Sequence, residues 1–355
     1  MKKVLFYLLV FITIINVAKA QVENVQSQSV ESKIDWHLRY FSGNNLGGVV
    51  AVYQKGEIKF EKAYGLSDMS NLTKMESVNR FNLVGLSKSF TSLAVLKLVE
   101  KGKISLDDNM IDIFNDFPDY GKEVKIKHLL SHTSGLENYN KDNINSLNEV
   151  YEFLKSKNGL KYQAGAKMEH SNSDYPLLVL IIEKLSGISY SDFLNKNIFK
   201  KIKMENTLVA SNAKDVVDVA LPHSINNMRY IVNETENYIY GEQGIYSNIH
   251  DIAKWDKALY TDKLLKCEYL SEIFKENKLN EDKTPTYYGY GWVLMERNDT
   301  PYYWHGGTGN GYTNLFFHLP NSQLTVVILV NREDEGDLFK IALSIAKLFD
   351  NNINL

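Results

Sequence analysis

Residues 80–108 constrain the fold of this chain more than any other part of the sequence. They predict a short extended segment followed by a helix, because apolar side chains recur at helical spacing and Lys101-Gly102-Lys103 then forms a stop. Apolar residues on the other sides of the helix indicate that it lies mostly inside the core. Lys88 falls near its start, and a buried lysine is costly unless it has a partner or a chemical task. The apolar positions at helical spacing are Leu86, Phe90, Leu93, Ala94 and Leu98.

Both ends of the chain carry strand patterns. Residues 47–68 predict two strands joined near Lys55-Gly56, because apolar residues alternate on either side of this turn signal. Residues 314–319 and 324–331 predict two more strands around Pro320-Asn321-Ser322, and residues 338–349 predict a closing helix. This order predicts an α/β (α+β) fold, with an antiparallel sheet from both chain ends flanked by helices and an inserted, mainly helical lobe.

Residues 1–20 have the pattern of an export signal, with a charged end, an apolar run and a small-x-small cleavage site at Ala18-Lys19-Ala20. We therefore expect a periplasmic or secreted protein. Residues 21–33 predict a flexible segment, and residues 34–350 predict one domain that begins with a short helix over residues 34–41. The apolar run is too short to span a bilayer, and no cysteine follows the cleavage site, so we expect no stable membrane anchor.

The composition argues against several classes of function. The net charge of −3 shows no excess of basic residues, so a nucleic-acid partner is not indicated. Cys267 is the only cysteine, which rules out an internal disulfide and leaves a zinc-cysteine site unsupported. His128 and His132 have the i, i+4 spacing of metal ligands, but no third ligand accompanies them, and we favour a structural role. We expect no cofactor, and the oligomeric state stays open.

Three further motifs follow the predicted helix. Residues 127–136 read Lys-His-Leu-Leu-Ser-His-Thr-Ser-Gly-Leu, and His170-Ser171-Asn172 precedes an almost wholly apolar helix predicted over residues 175–185. His305-Gly306-Gly307-Thr308 comes before the C-terminal strands, and its glycines would let another backbone lie close. Taken alone, this glycine-rich run would be weak evidence for a phosphate site, because no lysine-serine pair accompanies it.

In this order, the motifs and the stretch around Lys88 resemble the serine β-lactamase and penicillin-binding-protein superfamily, in the branch related to class C β-lactamases, D-peptidases and esterases. The resemblance covers residues 34–349. Members carry Ser-x-x-Lys at the start of the buried helix, where the lysine lies one turn from the serine and can take its proton. Here Phe81, Phe90 and Thr91 align without a gap and Lys88 is present, but Gly85 stands at the serine position.

The resemblance implies roles for the side chains of the other motifs. His170 stands where the family has a tyrosine that passes protons, and Asn172 is retained to hold a ligand amide. His305 matches the basic residue of the family's His-x-Gly variant and is expected to meet a ligand carboxylate or support proton transfer. The expected catalytic side chains are therefore Lys88, His170 and His305.

The family's oxyanion hole consists of two backbone amides, which here would belong to Gly85 and Thr308. Backbone donors do not depend on side chains, so a pocket for a carbonyl or carboxylate group is expected even without the serine. The expected ligand-binding positions are Gly85, Asn172, Gly307 and Thr308.

Nearby residues leave alternatives open. Ser87 lies about 200° around a helix from Gly85, and Ser89 lies one turn deeper, so both are weak substitutes for the missing nucleophile. His170 either exchanges protons near neutral pH or fills an aromatic-sized gap beside Lys88.

Residues 241–259 resemble another family signature, with Gln243 in place of the first glycine of a pair. This segment is expected to be scaffold, with Asn248 as the N-cap of a helix. Residues 287–292 predict a strand that leads toward the last motif, with aromatic rings in the core or the pocket wall.

The resemblance implies an exported serine hydrolase relative that has lost its nucleophile. We expect it to bind an acyl-D-amino-acid peptide, a cell-wall fragment or a similar carbonyl ligand, so the partner is a small molecule or peptide. The alternative is an active hydrolase or acyltransferase on β-lactam, ester or peptide substrates, with Lys88 or His170 as general base. A third interpretation, that Gly85 was introduced to trap a substrate, leaves His170 unexplained.

Overall fold

The structure is a computed structural model that describes residues 29–140, 143–227, 229–234, 239–277, 279, 286–333 and 336–355. The expected export signal at residues 1–20 lies outside this part of the chain, as do residues 21–28. The chain divides into two compact units, Met1–Tyr40 and Phe41–Leu355. The start of the predicted domain at residue 34 stays a prediction.

Helix α1 belongs to the first unit and spans Val30–His37. It begins before the predicted start at residue 34, within the segment that was predicted to be flexible. Ser29 explains the difference, because its hydroxyl accepts a hydrogen bond from the Ser32 amide at 3.1 Å and caps the first turn.

A six-stranded antiparallel sheet forms the platform of the second unit. Strands from the two ends of the chain pair within it, as the sequence predicts, in the order Val293–Arg297, Thr300–Gly309, Tyr312–Leu319, Leu324–Val330, Gly48–Gln54, Glu57–Tyr64. Shorter strands form separate small sheets. The strands are β1 (Gly48–Gln54), β2 (Glu57–Tyr64), β3 (Leu66–Asp68), β4 (Thr73–Lys74), β5 (Phe81–Asn82), β6 (Leu208–Val209), β7 (His223–Asn226), β8 (Arg229–Val232), β9 (Ile245–Ser247), β10 (Val293–Arg297), β11 (Thr300–Gly309), β12 (Tyr312–Leu319) and β13 (Leu324–Val330).

The inserted lobe between β2 and β10 is mainly helical, which confirms the predicted architecture. No helix in the described part of the chain combines the length and apolar character of a membrane span. The remaining helices are α2 (Ser87–Glu100), α3 (Met110–Ile113), α4 (Ile126–Leu130), α5 (Leu147–Lys155), α6 (Asp174–Ser186), α7 (Tyr190–Leu194), α8 (Ile249–Ala258), α9 (Cys267–Ile273) and α10 (Leu338–Phe349).

Two-residue turns set the register of the hairpins. Lys55 and Gly56 join β1 to β2 with φ angles of 53° and 73°, and Asn310 and Gly311 join β11 to β12 with 52° and 81°. Two successive positive φ angles are typical of the type I′ turn, whose twist matches that of paired strands. The first turn confirms the hairpin predicted from the sequence.

Helices cover both faces of the sheet. The ring of Phe317 on β12 lies 5.2 Å from that of Phe339 on α10, between centroids. The next residue, His318, points to the opposite face, where its Nε2 lies 3.1 Å from the hydroxyl of Tyr260 beyond α8. Strands β12 and β13 are buried throughout for this reason.

Helix α2 crosses the interior and carries the start of the site. It is buried from Ser87 to Leu98, as its apolar pattern predicts, and packs against the more apolar α6. On the side of α8, the ring of Phe90 stacks on Trp255 with centroids 3.9 Å apart. A 3₁₀ turn over Val84–Leu86 leads into α2 and fixes the position of Gly85.

A buried polar cluster lies between α8 and the sheet. Asp256 is fully buried, and its Oδ1 accepts a hydrogen bond from the Thr325 hydroxyl at 2.5 Å. Burial raises the pKa of Asp256 to about 7, although the Thr325 hydrogen bond acts in the opposite direction. Burial lowers the pKa of His318, which also contacts Thr325, to about 3.

We expect Asp256 to make stability depend on pH. Because folding raises its pKa, the folded protein holds a proton that the unfolded chain releases, so this contribution is full below the ordinary carboxyl pKa and is lost as pH rises toward 7. The loss is on the order of 4 kcal/mol at most. Urea unfolding between pH 4 and 7 should show that the free energy of unfolding falls less for Asp256→Asn than for the unaltered protein.

The control is Asp262→Asn, which changes an exposed aspartate. Equal pH dependence in the Asp256→Asn and unaltered proteins would contradict the role of Asp256 in this pH dependence.

Candidate ligand-binding site

A cavity of about 360 Å³ opens where the start of α2 meets strand β11. The segment before α6 and the segment before β9 complete its walls. The structure brings all the predicted site residues to this cavity, although their chemical roles stay predictions. Those residues are Gly85, Lys88, His170, Asn172, His305, Gly307 and Thr308.

Strand β11 packs directly against Gly85. A β-carbon added to Gly85 would lie 2.3 Å from the Gly306 carbonyl oxygen and 2.9 Å from His305 Cε1. These distances are far shorter than van der Waals contact, and the nearest atom belongs to the backbone. A side chain at position 85 therefore requires β11 to move, because the space that a serine would use is filled.

The backbone before Gly85 is also constrained. Val84 has a φ of 45°, a region that β-branched residues rarely adopt. Its amide donates to Asn82 Oδ1 at 2.9 Å, and the same oxygen accepts from the Gly244 amide at 3.3 Å. Asn82, which is fully buried, therefore links the residues before α2 to the segment before β9.

The two residues expected to form an oxyanion hole, Gly85 and Thr308, both line the cavity. Gly85 lies in the first turn leading into α2, where amides lack intrahelical acceptors. Thr308 pairs with Thr313, which is the second pair from the hairpin turn and therefore a non-hydrogen-bonded pair of the antiparallel ladder. In such a pair the Thr308 amide points away from β12. A β-carbon on Gly307 would lie 3.2 Å from the Gly85 nitrogen, which shows how closely the two segments approach.

Lys88 is buried and lines the cavity. The side chain is only 4% exposed, and its Nζ lies 5.6 Å from the centroid of the Tyr175 ring. Ser87 and Ser89 are fully buried in the same helix, and the Ser89 hydroxyl donates to the Leu86 carbonyl at 2.8 Å. Neither serine lines the cavity, so neither hydroxyl is placed to replace the missing nucleophile.

His305 turns inward from β11. Its Nε2 lies 3.2 Å from the Tyr288 hydroxyl and its Nδ1 lies 3.1 Å from the Gly306 carbonyl oxygen. The pKa of His305 falls well below its usual value, chiefly through burial and then through the charge of Lys88. Both effects favour the neutral ring, and the role of His305 toward a ligand stays a prediction.

A buried imidazole-carboxyl pair supports the cavity floor. His132 Nδ1 lies 2.8 Å from Asp174 Oδ2, and both side chains are fully buried. Burial lowers the pKa of His132 well below its usual value and raises that of Asp174 well above it. The Ser134 hydroxyl donates to the other oxygen of Asp174 at 2.5 Å. The sequence predicts a structural role for His132, but its contact with Asp174 joins residues 42 apart in the chain and has no local signal.

His170 and Asn172 lie on the wall formed by the segment before α6. His170 is exposed, and its ring centroid is 4.8 Å from that of His132. It therefore does not fill a buried gap, which was one of the two predicted roles. The backbone amide of Asn172 donates a hydrogen bond to Asn138 Oδ1 at 2.9 Å, which holds this residue at the cavity wall.

The segment predicted to be scaffold contributes to the cavity. Asn248 caps α8 as predicted, because its side chain accepts from the Asp251 amide at 3.0 Å. Glu242 and Gln243, however, line the cavity, so the prediction of a purely structural segment was wrong for its start. The substitution of Gln243 for a family glycine was the only sequence signal for this wall.

The aromatic segment before β10 also differs from expectation. The strand begins only at Val293, while Tyr288 and Trp292 precede it as buried residues outside the strand. Tyr288 lines the cavity as predicted for the aromatic residues of this segment, whereas Tyr287 is 55% exposed.

The two histidines of the 127–136 motif serve packing. The His128 Nδ1 accepts a hydrogen bond from the Lys125 amide at 3.2 Å, at the start of α4. Across the described ranges, no group of three or more His, Cys, Asp or Glu side chains is arranged to hold a metal ion.

Comparison with known proteins decides the family. The family model described as Beta-lactamase matches residues 22–348. The chain belongs to the beta-lactamase family. The chain is 29% identical to Penicillin-binding protein 4* of Bacillus subtilis (strain 168) over 334 residues. This alignment covers 86% of the chain and 72% of that protein. The chain is also 24% identical over 332 residues to Protein flp of Staphylococcus aureus (strain MRSA252), covering 89% of this chain and 65% of that protein.

Solved structures agree on the fold of this beta-lactamase family chain. A class C beta-lactamase superimposes with a TM-score of 0.78 at 18% identity, over 92% of this chain and 97% of that one. The resemblance inferred from the motifs is therefore confirmed at the level of family and fold.

We expect Gly85→Ala to destabilise the protein by about 1–3 kcal/mol, because the added methyl group would overlap the Gly306 carbonyl oxygen. Urea unfolding measures the change. Gly159→Ala is the matched control, since a β-carbon there meets nothing within 4 Å. Equal free energies of unfolding for the two variants would show that β11 does not occupy the side-chain position of residue 85.

Proposed function

We propose that this protein binds a carbonyl-containing ligand, such as an acyl-D-amino-acid peptide or a cell-wall fragment, without forming a covalent acyl intermediate. The observation that carries the proposal is the close packing at Gly85, where the Gly306 carbonyl oxygen lies only 2.3 Å from the position that a β-carbon would take. A nucleophile there would need both another residue and a shift of β11. On this proposal, the chain keeps the pocket of a serine hydrolase family and lacks its covalent chemistry.

The remaining groups of the cavity suit a polar ligand. The amides of Gly85 and Thr308 offer two donors to a single oxygen atom, as in an oxyanion hole. Lys88 supplies a positive charge, and the Asn172 side chain can hydrogen-bond to an amide of the ligand. The volume of about 360 Å³ lies toward the small end of ligand pockets, which favours a ligand the size of a dipeptide.

A second candidate is an active hydrolase or acyltransferase on β-lactam, ester or peptide substrates, with Lys88 or His170 as general base. The observation in its favour is that Lys88 is 4% exposed and still lines the cavity. An amine held at a pocket despite the cost of desolvation is typical of functional sites. The exposed His170 ring could exchange protons with solvent.

Turnover and adduct formation distinguish the two candidates. We expect no hydrolysis of a chromogenic β-lactam, p-nitrophenyl acetate or D-alanyl-D-alanine above the rate in buffer, because loss of a nucleophile removes several kcal/mol of transition-state stabilisation. Mass spectrometry should detect no acylated protein, while calorimetry should detect saturable peptide binding. Turnover far above buffer that disappears in Lys88→Met would instead support the second candidate.

Lys97→Met is the matched control for Lys88→Met. Lys97 lies in the same helix and is 8% exposed, but its Nζ donates to the Leu264 carbonyl away from the cavity. Activity or binding that changes in both variants would reflect the stability of α2 rather than the amine at the cavity. Thermal unfolding of both proteins separates these cases.

We also propose that residues 1–20 direct export and are then removed, which would make the protein periplasmic or secreted. The support is the charged, apolar and small-x-small pattern of this segment. N-terminal sequencing of protein from the cell exterior or periplasm should find Gln21 first. Retention of Met1 in protein confined to the cytoplasm would contradict export.

A further inference from the structure

A pair of side-chain amides joins the end of β11 to the segment before β9. Gln243 belongs to that segment and lines the cavity, and Asn310 lies in the turn between β11 and β12. Asn310 Nδ2 donates a hydrogen bond to Gln243 Oε1 at 2.5 Å. The signature that residues 241–259 resemble has a glycine at this position, which could not form such a bridge. The bridge therefore depends on the glutamine side chain of this chain.

The backbone on both sides of Gln243 is held in place. Gly241 has a φ of 104°, and a β-carbon on it would lie 2.5 Å from the Tyr175 carbonyl oxygen. Gly244 has a φ of 89°, and its amide donates to Asn82 Oδ1 at 3.3 Å. The Gln243 side chain is thus anchored at its backbone and at its amide oxygen before a ligand arrives, which lowers the entropic cost of binding.

The bridge leaves the donor end of the Gln243 amide for a ligand. With Oε1 bonded to Asn310, Nε2 carries two N–H groups. Within the described part of the chain Nε2 has no acceptor, yet it is not among the polar atoms that are shut off from solvent. Gln243 is only 6% exposed and lines the cavity, so the cavity is where a ligand would meet this donor.

The donor requires a carbonyl oxygen other than the one at the oxyanion hole. On the proposed function, the amides of Gly85 and Thr308 bind one carbonyl or carboxylate oxygen. An acyl-D-amino-acid peptide carries a further carbonyl in its acyl group. We infer that Gln243 Nε2 donates a hydrogen bond to this acyl oxygen, so the site selects N-acylated peptides. This inference rests on the proposed function and narrows its ligand class.

Replacing the acyl oxygen with sulfur tests the hydrogen bond at a single atom. Calorimetry with the unaltered protein compares N-acetyl-D-alanyl-D-alanine with its N-thioacetyl analogue, because sulfur is a weak acceptor. We expect the acetyl peptide to bind about fivefold more tightly, which corresponds to one neutral hydrogen bond. Gln243→Met keeps the length of the side chain but has no donor. In this variant the two peptides should bind equally, with the affinity for the thioacetyl peptide unchanged.

A second variant turns the amide without changing Gln243. The carboxylate of Asn310→Asp cannot donate, so it accepts from Gln243 Nε2 instead and leaves Oε1 on the side of the cavity. Aspartate tolerates the φ of 52° at residue 310. We expect the preference for the acetyl peptide to disappear here as well. Both peptides carry the same charge, so the added carboxylate changes both affinities alike and their ratio still reports the acyl contact.

The control is Gln163→Met, which changes an exposed glutamine outside the cavity lining and should keep the preference. Thermal unfolding establishes that each variant is folded. Equal binding of the two peptides by the unaltered protein, or a preference that persists in folded Gln243→Met or Asn310→Asp, would overturn this inference and leave the proposed function standing. If the unaltered protein bound neither peptide, the proposed function and the inference would both fail.

Discussion

The packing of strand β11 against the start of helix α2 is the constraint on which the rest of this site depends. The Gly306 carbonyl oxygen and the His305 ring lie beside Gly85. The strand can pack this closely only because residue 85 has no side chain. The family's reaction needs an oxygen nucleophile at the same point. Oxyanion-hole donors are backbone amides, so the binding of a carbonyl group that we propose does not depend on the side chain that this contact excludes.

Burial sets the charge of the groups around this contact. The imidazoles of His132 and His305 both have lowered pKa values because they are buried and lie near the charge of Lys88. A neutral His305 can pack against Gly85 and bond to Tyr288, which a cation in the same position could do only at a large desolvation cost. Lys88, which is basic, and Glu242, which is acidic, line the same cavity.

Much of the fold could be predicted because its signals are local. The turn at Lys55-Gly56, the closing helix α10 and the apolar helix α6 follow from short sequence patterns, and each has the predicted position. The site could be predicted as a set of residues through motif order. Glu242 was missed because a glutamate beside a glycine turn gives no local sign of facing a cavity, and its partner Tyr139 lies 103 residues away in the chain.

The sequence by itself determined the family, the sheet built from both chain ends and the absence of a serine at residue 85. It did so because motifs, hydrophobic periodicity and side-chain chemistry are properties of short segments. Only the tertiary structure decided that β11 lies too close to Gly85 for a side chain there, that His305 is turned inward with a lowered pKa, and that Glu242 lines the cavity. These features depend on distances between segments far apart in the chain and on burial, which short-range sequence patterns do not encode.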